Sequence, residues 1–217
     1  MAAQLSGTAQ AVLPQGTRQV ISLDYHRLAN DPVAQQLEAQ LLPPQVSGLD
    51  ALLQRGGVDP TQDLNRLTFA TYQGNKGIGL IGIAEGNLNG IKLARFFQKT
   101  PKQPNPPQID GVDVYSSGDL MFFMPDNASM VFGARQAVEE AIRTEQGAAK
   151  IGANEEMTNL IAGTQSSDVW SVLDAAGSRA MVHSLIGGSV AGLDPSLIDK
   201  RFDGARYTIA FDQTVQL

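Results

Sequence analysis

The 217-residue chain contains no cysteine, which removes disulfides, thiolate nucleophiles and zinc-thiolate sites together. Histidine is almost missing too. His26 and His183 are the only two, and neither has a second histidine, aspartate or glutamate at metal-ligand spacing on the same helical turn. Long apolar runs are absent: the longest, Leu120 to Met124, stops at Pro125, far short of the ~20 residues that span a bilayer. There is no basic stripe, because 16 Lys and Arg are scattered singly among 22 Asp and Glu for a net charge of -6. Nucleic acid and anionic membranes are repelled by such a surface rather than gathered. The opening stretch, MAAQLSGTAQAVLPQGTRQ, lacks the basic start and apolar centre of a secretory signal. A chain without cysteine suits a reducing cytoplasm or a bacterial periplasm equally, so composition leaves the compartment open.

What remains is ordinary globular material. Apolar residues make 42% of the chain and charged residues 18%, enough to offset the entropy of ordering the backbone. The opening stretch to residue 18 reads as a flexible tether. Val20 to Leu23 follows as a short buried strand, and Asp31-Pro32 offers a helix cap with proline at the first helical position, leading into Val33, Leu37 and Leu41 at helical spacing. Leu49, Leu52 and Leu53 predict a second short helix ended by Gly56-Gly57. Leu67 to Tyr72 and Ile78 to Ala84 predict two strands joined through Gln73-Gly74-Asn75-Lys76. Leu88, Ile91, Leu93, Ala94, Phe96 and Phe97 lie on one broad helical face, and the PKQPNPP stretch after it reads as an extended linker. Val112 to Tyr115, Leu120 to Met124 and Met130 to Phe132 then read as a meander. Helices are expected over Ala134 to Ile142, closed by Gly147, and after Asn154, closed by Gly163.

That order predicts an α+β protein: an antiparallel sheet with helices on one face, in a ferredoxin-like, split βαβ unit enlarged by extra strands. Three short echoes recur in the same sequence order. Val20-Ile21-Ser22 before Asp24 matches Val169-Trp170-Ser171 before Asp174, Gly57-Val58-Asp59-Pro60 matches Gly192-Leu193-Asp194-Pro195, and Arg66 to Ala70 matches Arg206 to Ala210. The reading is therefore a tether over 1–18, a first unit over 19–150 and a partial second copy over 151–217. The second copy stops within its own third strand, so a C-terminal continuation is expected.

Val20 to Asp24, Gly57 to Pro60 and Asp63 to Arg66 resemble the openings of units in a loose group of exported bacterial proteins of unknown function, built from two ferredoxin-like halves. The resemblance implies a periplasmic or extracellular address and no established activity. The chain departs from it in carrying neither a signal peptide nor a lipid-bearing cysteine, and the cytoplasm stays open as the alternative.

Candidate chemistry is sparse. Gly77-Ile78-Gly79-Leu80-Ile81-Gly82 satisfies the dinucleotide-loop spacing G-x-G-x-x-G, but it lies inside an expected strand instead of between a strand and a helix. A strand thinned by glycine for close approach of another backbone is the competing reading. His183 with Ser184 or Ser189 could be drawn into a nucleophile-base pair, without any G-x-S-x-G elbow. Asp110 and Asp113, and Asp194, Asp199 and Asp203, lack the grammar of a calcium loop and read as turn formers, with Asp59 and Asp63 as caps. Asn127-Ala128-Ser129 matches a glycosylation sequon within a turn. Met121 to Met124 with Met130 and Phe132 reads as core, or as an adaptable apolar surface.

No catalytic, cofactor-binding or metal-ligating residue is therefore assigned, and no cofactor is expected. The leading expectation is a non-enzymatic exported binding or interaction module with an unknown protein or small-molecule ligand, no nucleic acid, no membrane insertion, and self-association open. The alternatives are a hydrolase using His183 or a carboxylate pair, and nucleotide binding at Gly77 to Gly82.

Overall fold

The computed structural model describes residues 5–30, 48–75, 77–98, 106–164, 167–186 and 204–209, with backbone alone at residues 30, 180, 182–186, 207 and 209. The helix expected over Val33 to Leu41, most of the PKQPNPP stretch, and Gly192 to Pro195 lie outside them.

The first element corrects the expected tether. Ser6 accepts a hydrogen bond from the Ala9 amide and caps helix α1 (Gly7–Val12), whose Ala9 and Val12 are buried with Leu5 and Leu13. Small and polar residues concealed the apolar spacing at Leu5, Ala9, Val12 and Leu13. Strand β1 (Thr17–Asp24) leads into α2 (Tyr25–Asn30), and α3 (Leu49–Arg55) and the single turn α4 (Pro60–Asp63) precede β2 (Leu64–Gly74). β2 and β3 (Gly77–Gly86) form a hairpin whose last register pair is Gly74 with Gly77. Helix α5 (Gly90–Gln98) follows, then a small hairpin of β4 (Gln108–Ile109) and β5 (Val112–Asp113). The expected meander is β6 (Tyr115–Ser117), β7 (Leu120–Phe123) and β8 (Ser129–Gly133). Helices α6 (Arg135–Glu145) and α7 (Glu155–Ala162), strand β9 (Val169–Leu173), α8 (Ala175–Ile186) and β10 (Ala205–Ile209) complete the described chain.

The protein is α+β, and its main sheet runs β10-β9-β1-β2-β3-β8-β7-β6 with every neighbouring pair antiparallel. This corrects the ferredoxin-like connection. In a split βαβ unit the strands on either side of the helix run parallel with another strand between them, whereas β1 lies directly beside β2 and antiparallel to it.

The helices also cover both faces of the sheet, not one. Val20, Ala70, Tyr72, Ile81, Ile83 and Val131 pack with residues of α1, α6 and α7 in one core. Leu23, Leu67, Phe69, Ala84, Met130 and Phe132 pack with residues of α2, α3 and α5 in the other. Met130, Val131 and Phe132 are consecutive and all buried, the mark of a strand covered on both faces. Each such side chain, fully removed from water, contributes about 1.5–3 kcal/mol.

α6 illustrates the local logic. Ala137, Val138, Ala141 and Ile142 make its inward stripe, while Arg135–Glu139 and Arg143–Glu140 pair on the outer face, and Gly147 beyond its end adopts φ +129. In α5 the expected broad apolar face is narrower. Leu93 is buried, but Ile91 and Phe96 point to solvent.

β10 pairs with β9 through Tyr207–Ser171 and Ile209–Val169, as the echo required. The β1–β9 register has its own symmetry. Adding 150 to Gln19, Ile21 and Leu23 gives Val169, Ser171 and Leu173, and the ladder pairs Gln19 with Leu173, Ile21 with Ser171 and Leu23 with Val169. As in any antiparallel pair, the two strands are related by a local two-fold, here with β2 outside one and β10 outside the other.

Candidate functional site

The glycine run belongs to β3 along its whole length, and no helix follows it until Gly90. Each interior glycine accommodates an aromatic ring. A Cβ on Gly79 would stand 2.5 Å from Tyr72 ring atoms on one face of the sheet, and a Cβ on Gly82 would collide with the Phe132 ring on the other. The sequence reading anticipated close approach by backbone; rings from the neighbouring strands make it.

The far end of β3 is where the sheet opens. β3 keeps its ladder with β2 down to Gly77, but the ladder with β8 ends at Ile81 opposite Gly133. Beyond Gly133 the chain turns through Ala134 into α6. β7 pairs with Gly133 from the other side through Met121, so Leu120 and the β6–β7 turn continue past the point where β8 stops. β3 and β7 are then two interstrand spacings apart, about 9.5 Å, and the described residues leave one strand's width open between them. This notch is a cavity of about 610 Å³ walled by Ile78 to Leu80 on one side and by Ser117, Asp119 and Leu120 on the other. Ala134, Gln136 and Ala137 form its floor, and Phe69, Gly82 and Phe132 its inner end. A second hollow over Gln19, Ile21 and Thr71 adjoins it along Ile78 to Leu80.

Ile78 is the exposed hinge between these hollows, with 74% of its surface open. The Leu80 carbonyl lies 2.8 Å from the position of a Cβ on Gly133, so Leu80 turns its peptide groups toward the β8 side. Peptide orientation alternates along a strand, so Ile78 presents its own N–H and C=O to the notch, where β8 has already ended. Among the described residues the one carboxylate in the notch wall is the exposed Asp119.

The anticipated chemical residues lie elsewhere. His26 is exposed on α2, and His183 and Ser184 are successive residues of the α8 backbone. Ser189, Asp194, Asp199 and Asp203 lie outside the described residues. Asp110, at φ +48, and Gly111 turn the β4–β5 hairpin, where Asp113 accepts from the Gln108 amide at 2.8 Å. Asp59 caps α4 by accepting from the Thr61 amide at 3.0 Å, and Asp63 accepts from the Asp59 amide at 2.9 Å. Asn127 accepts from the Ile91 amide at the start of α5, so the sequon serves as a brace between a turn and a helix. Phe122, Phe123, Met130 and Phe132 are core. Among the described residues no group of three His, Asp or Glu is placed to hold a metal ion, and no helix is long and apolar enough to cross a membrane.

Two ion pairs were not anticipated. Arg18 donates to Asp174 at 2.7 Å, and Arg27 donates to Asp168; both aspartates are buried. Asp174 also accepts from the Gly177 amide at 2.6 Å, capping α8, as Asp24 accepts from the Arg27 amide at the start of α2. These pairs fasten the two ends of β9 to the β1 segment. The strand-Asp-helix pattern signalled the caps, but nothing local in sequence reveals arginine partners more than 100 residues away.

The acid-base groups that burial perturbs lie outside the notch wall. Burial raises the carboxyl of Asp50, with an opposing hydrogen bond from Tyr25, and that of Glu145, where Lys150 opposes it. Burial also raises the phenols of Tyr72 and Tyr115.

No family model and no curated protein matches the chain. Among solved structures it is similar to crystal form I of TP0453, at 11% identity and a TM-score of 0.48, covering 87% of this chain and 70% of that one. It is also similar to crystal form IV of TP0453, at 11% identity and a TM-score of 0.42, over 85% and 70%. The likeness is loose.

Proposed function

We propose that the chain is a non-enzymatic exported binding module whose ligand occupies the notch between β3 and the β6–β7 turn. The observation that carries this reading is the character of the notch walls: a hollow of about 610 Å³, the size of an ordinary ligand site, whose described lining is mainly apolar side chains and glycine, without histidine and with Asp119 as its one carboxylate. A hydrolytic centre needs a nucleophile within reach of a base that is itself oriented, and these walls offer no such pair. Export rests on the resemblance carried by Val20 to Asp24 and Gly57 to Pro60.

The reading is tested by a fragment screen with the uniformly ¹⁵N-labelled full chain, run beside an ester and glycoside panel. Shifts confined to Ile78, Leu80, Leu120 and Gly133 with no turnover support it. Turnover that disappears in His183→Ala contradicts it in favour of hydrolysis. Cell fractionation of the native full-length product tests export.

We also infer that the chain comprises two related units, 19–150 and a partial 151–217. The matching placement of β2 antiparallel beside β1 and of β10 antiparallel beside β9 supports this, as does the shared strand-Asp-helix junction at Asp24 and Asp174.

A further inference from the structure

We propose that the notch accepts an extended polypeptide segment as an added strand, hydrogen-bonded to β3 at Ile78, with a lysine or arginine of that segment beside Asp119. The proposal rests on the binding-module reading and names its ligand class.

Three observations select this occupant. First, Ile78 offers an outward N–H and C=O at a place where the neighbouring strand has ended, and one extended peptide satisfies both through a closely spaced pair of bonds. Apolar small molecules would fill the hollow and leave these groups unpaired. Second, the β6–β7 turn walls the far side, so the gap has the width of a single strand. The sheet edge of a second copy is too wide to enter it. Third, the charge around the rim is acidic. On α6, Glu139 and Glu140 are matched by Arg135 and Arg143, which leaves Asp119 as the carboxylate without an ion-pair partner among the described residues. The surplus fits a segment carrying a cation at its edge, on a protein whose net charge is -6.

The geometry also dictates the side-chain pattern. Alternate side chains of the added strand would point toward Phe69 and Phe132 on one face and toward Ala137 of α6 on the other. Apolar residues are favoured at the positions facing the aromatic end, with polar or basic residues between them. Ile78 itself stands exposed on the aromatic side, where it would cover the incoming apolar residue.

The experiment uses the full chain and a pool of acetylated, amidated octapeptides with Val, Ile or Phe at alternate positions and Lys, Thr or Glu between them. Retained peptides are identified by mass spectrometry and their affinities measured by anisotropy. Retained sequences are expected to carry lysine. Methylating the peptide's alternate backbone nitrogens should weaken binding at least tenfold. Ile78→Pro should do the same, because it deletes only the outward donor while the β2 ladder keeps its bonds. Asp119→Lys should reverse the preference from lysine to glutamate. Equal affinity for the methylated peptide overturns strand addition but leaves a binding notch in place. Retention of no peptide by the wild-type chain overturns it as well, with the fragment screen still judging the binding reading separately. The methylated peptide is tested on wild-type protein, so the result stands whether or not Ile78→Pro folds.

Discussion

The ring of Tyr72 lies where a side chain on Gly79 would stand, so close that a Cβ there would be 2.5 Å from two ring carbons and from the hydroxyl oxygen. Gly79 and Tyr72 are register partners on adjacent strands, so the absent side chain lets the ring fold across the neighbouring backbone and reach Gln136, whose carbonyl accepts from its hydroxyl at 3.4 Å. Gly79→Ala should therefore cost about 1–3 kcal/mol, the usual range for overpacking. In a Tyr72→Ala background the same change should cost much less, because the clash has lost its partner. Urea unfolding of the four proteins measures the coupling; strict additivity would contradict it.

The same arrangement accounts for the glycine spacing without a nucleotide. The run lies within a strand and does not open a helix, so no helix N-terminus is available to a pyrophosphate. Millimolar NAD or ATP should leave the melting temperature unchanged, and a reproducible upward shift would restore the nucleotide reading.

Arg18 and Asp174 provide a second test. Asp174 is 1% exposed and Arg18 43%, so removing the arginine leaves a buried carboxylate that, among the described residues, keeps its bond from Gly177. Arg18→Ala should destabilise by about 1–3 kcal/mol. Asp174→Ala should cost more, since it also removes the cap of α8, worth about 1 kcal/mol. Denaturant midpoints with unchanged m-values check the order of the two effects.

Asp50 gives a pH signature. Burial raises its carboxyl above the usual aspartate value, so the folded state takes up a proton at higher pH than the unfolded chain. Ionised Asp50 therefore costs stability at neutral pH, and that cost fades as pH falls from above the raised value toward the ordinary one. Asp50→Asn, which keeps an acceptor for Tyr25, should be more stable than wild type at pH 7, with the gap closing on acidification. Unfolding free energies at a series of pH values read the gap directly, and a gap that widened toward acid would contradict the assignment.

Helix α5 separates periodicity from burial. Leu93→Ala should cost about 2–5 kcal/mol, whereas Ile91→Ser, at a solvent-facing position, should stay within about 0.5 kcal/mol. A large loss at Ile91 would restore the broad apolar face that the sequence suggests.

Most strands and the caps at Asp59 and Asn154 were legible because each depends on local chemistry: alternation, turn residues, and a polar side chain ahead of an apolar stripe. The consecutive buried run Met130 to Phe132 also held the signal for a second covered face, which a one-face sheet overlooked. Strand order was less accessible, since antiparallel neighbours and a split βαβ unit begin from the same element sequence. The echoes show the limit most clearly. Val20-Ile21-Ser22 and Val169-Trp170-Ser171 match by letters at a spacing of 149, while the helix caps Asp24 and Asp174 align the strands at 150, and Val20 and Val169 lie on opposite faces. The Arg66 and Arg206 segments are out by two residues, which preserves the face; their pairing with β1 and β9 survived that offset. The notch was invisible because it comes from an ending: Gly133 is followed by a helix while β3 and β7 run on.

Amide hydrogen exchange at Ile78, measured in the full chain with and without a retained lysine-bearing peptide, tests the central claim most directly. In the free protein the Ile78 amide should exchange rapidly while that of Gly79, turned toward Tyr72 in the β2 ladder, is protected. Adding the peptide should slow Ile78 at least tenfold; an Ile78 amide that stays fast while the peptide is bound would contradict the account.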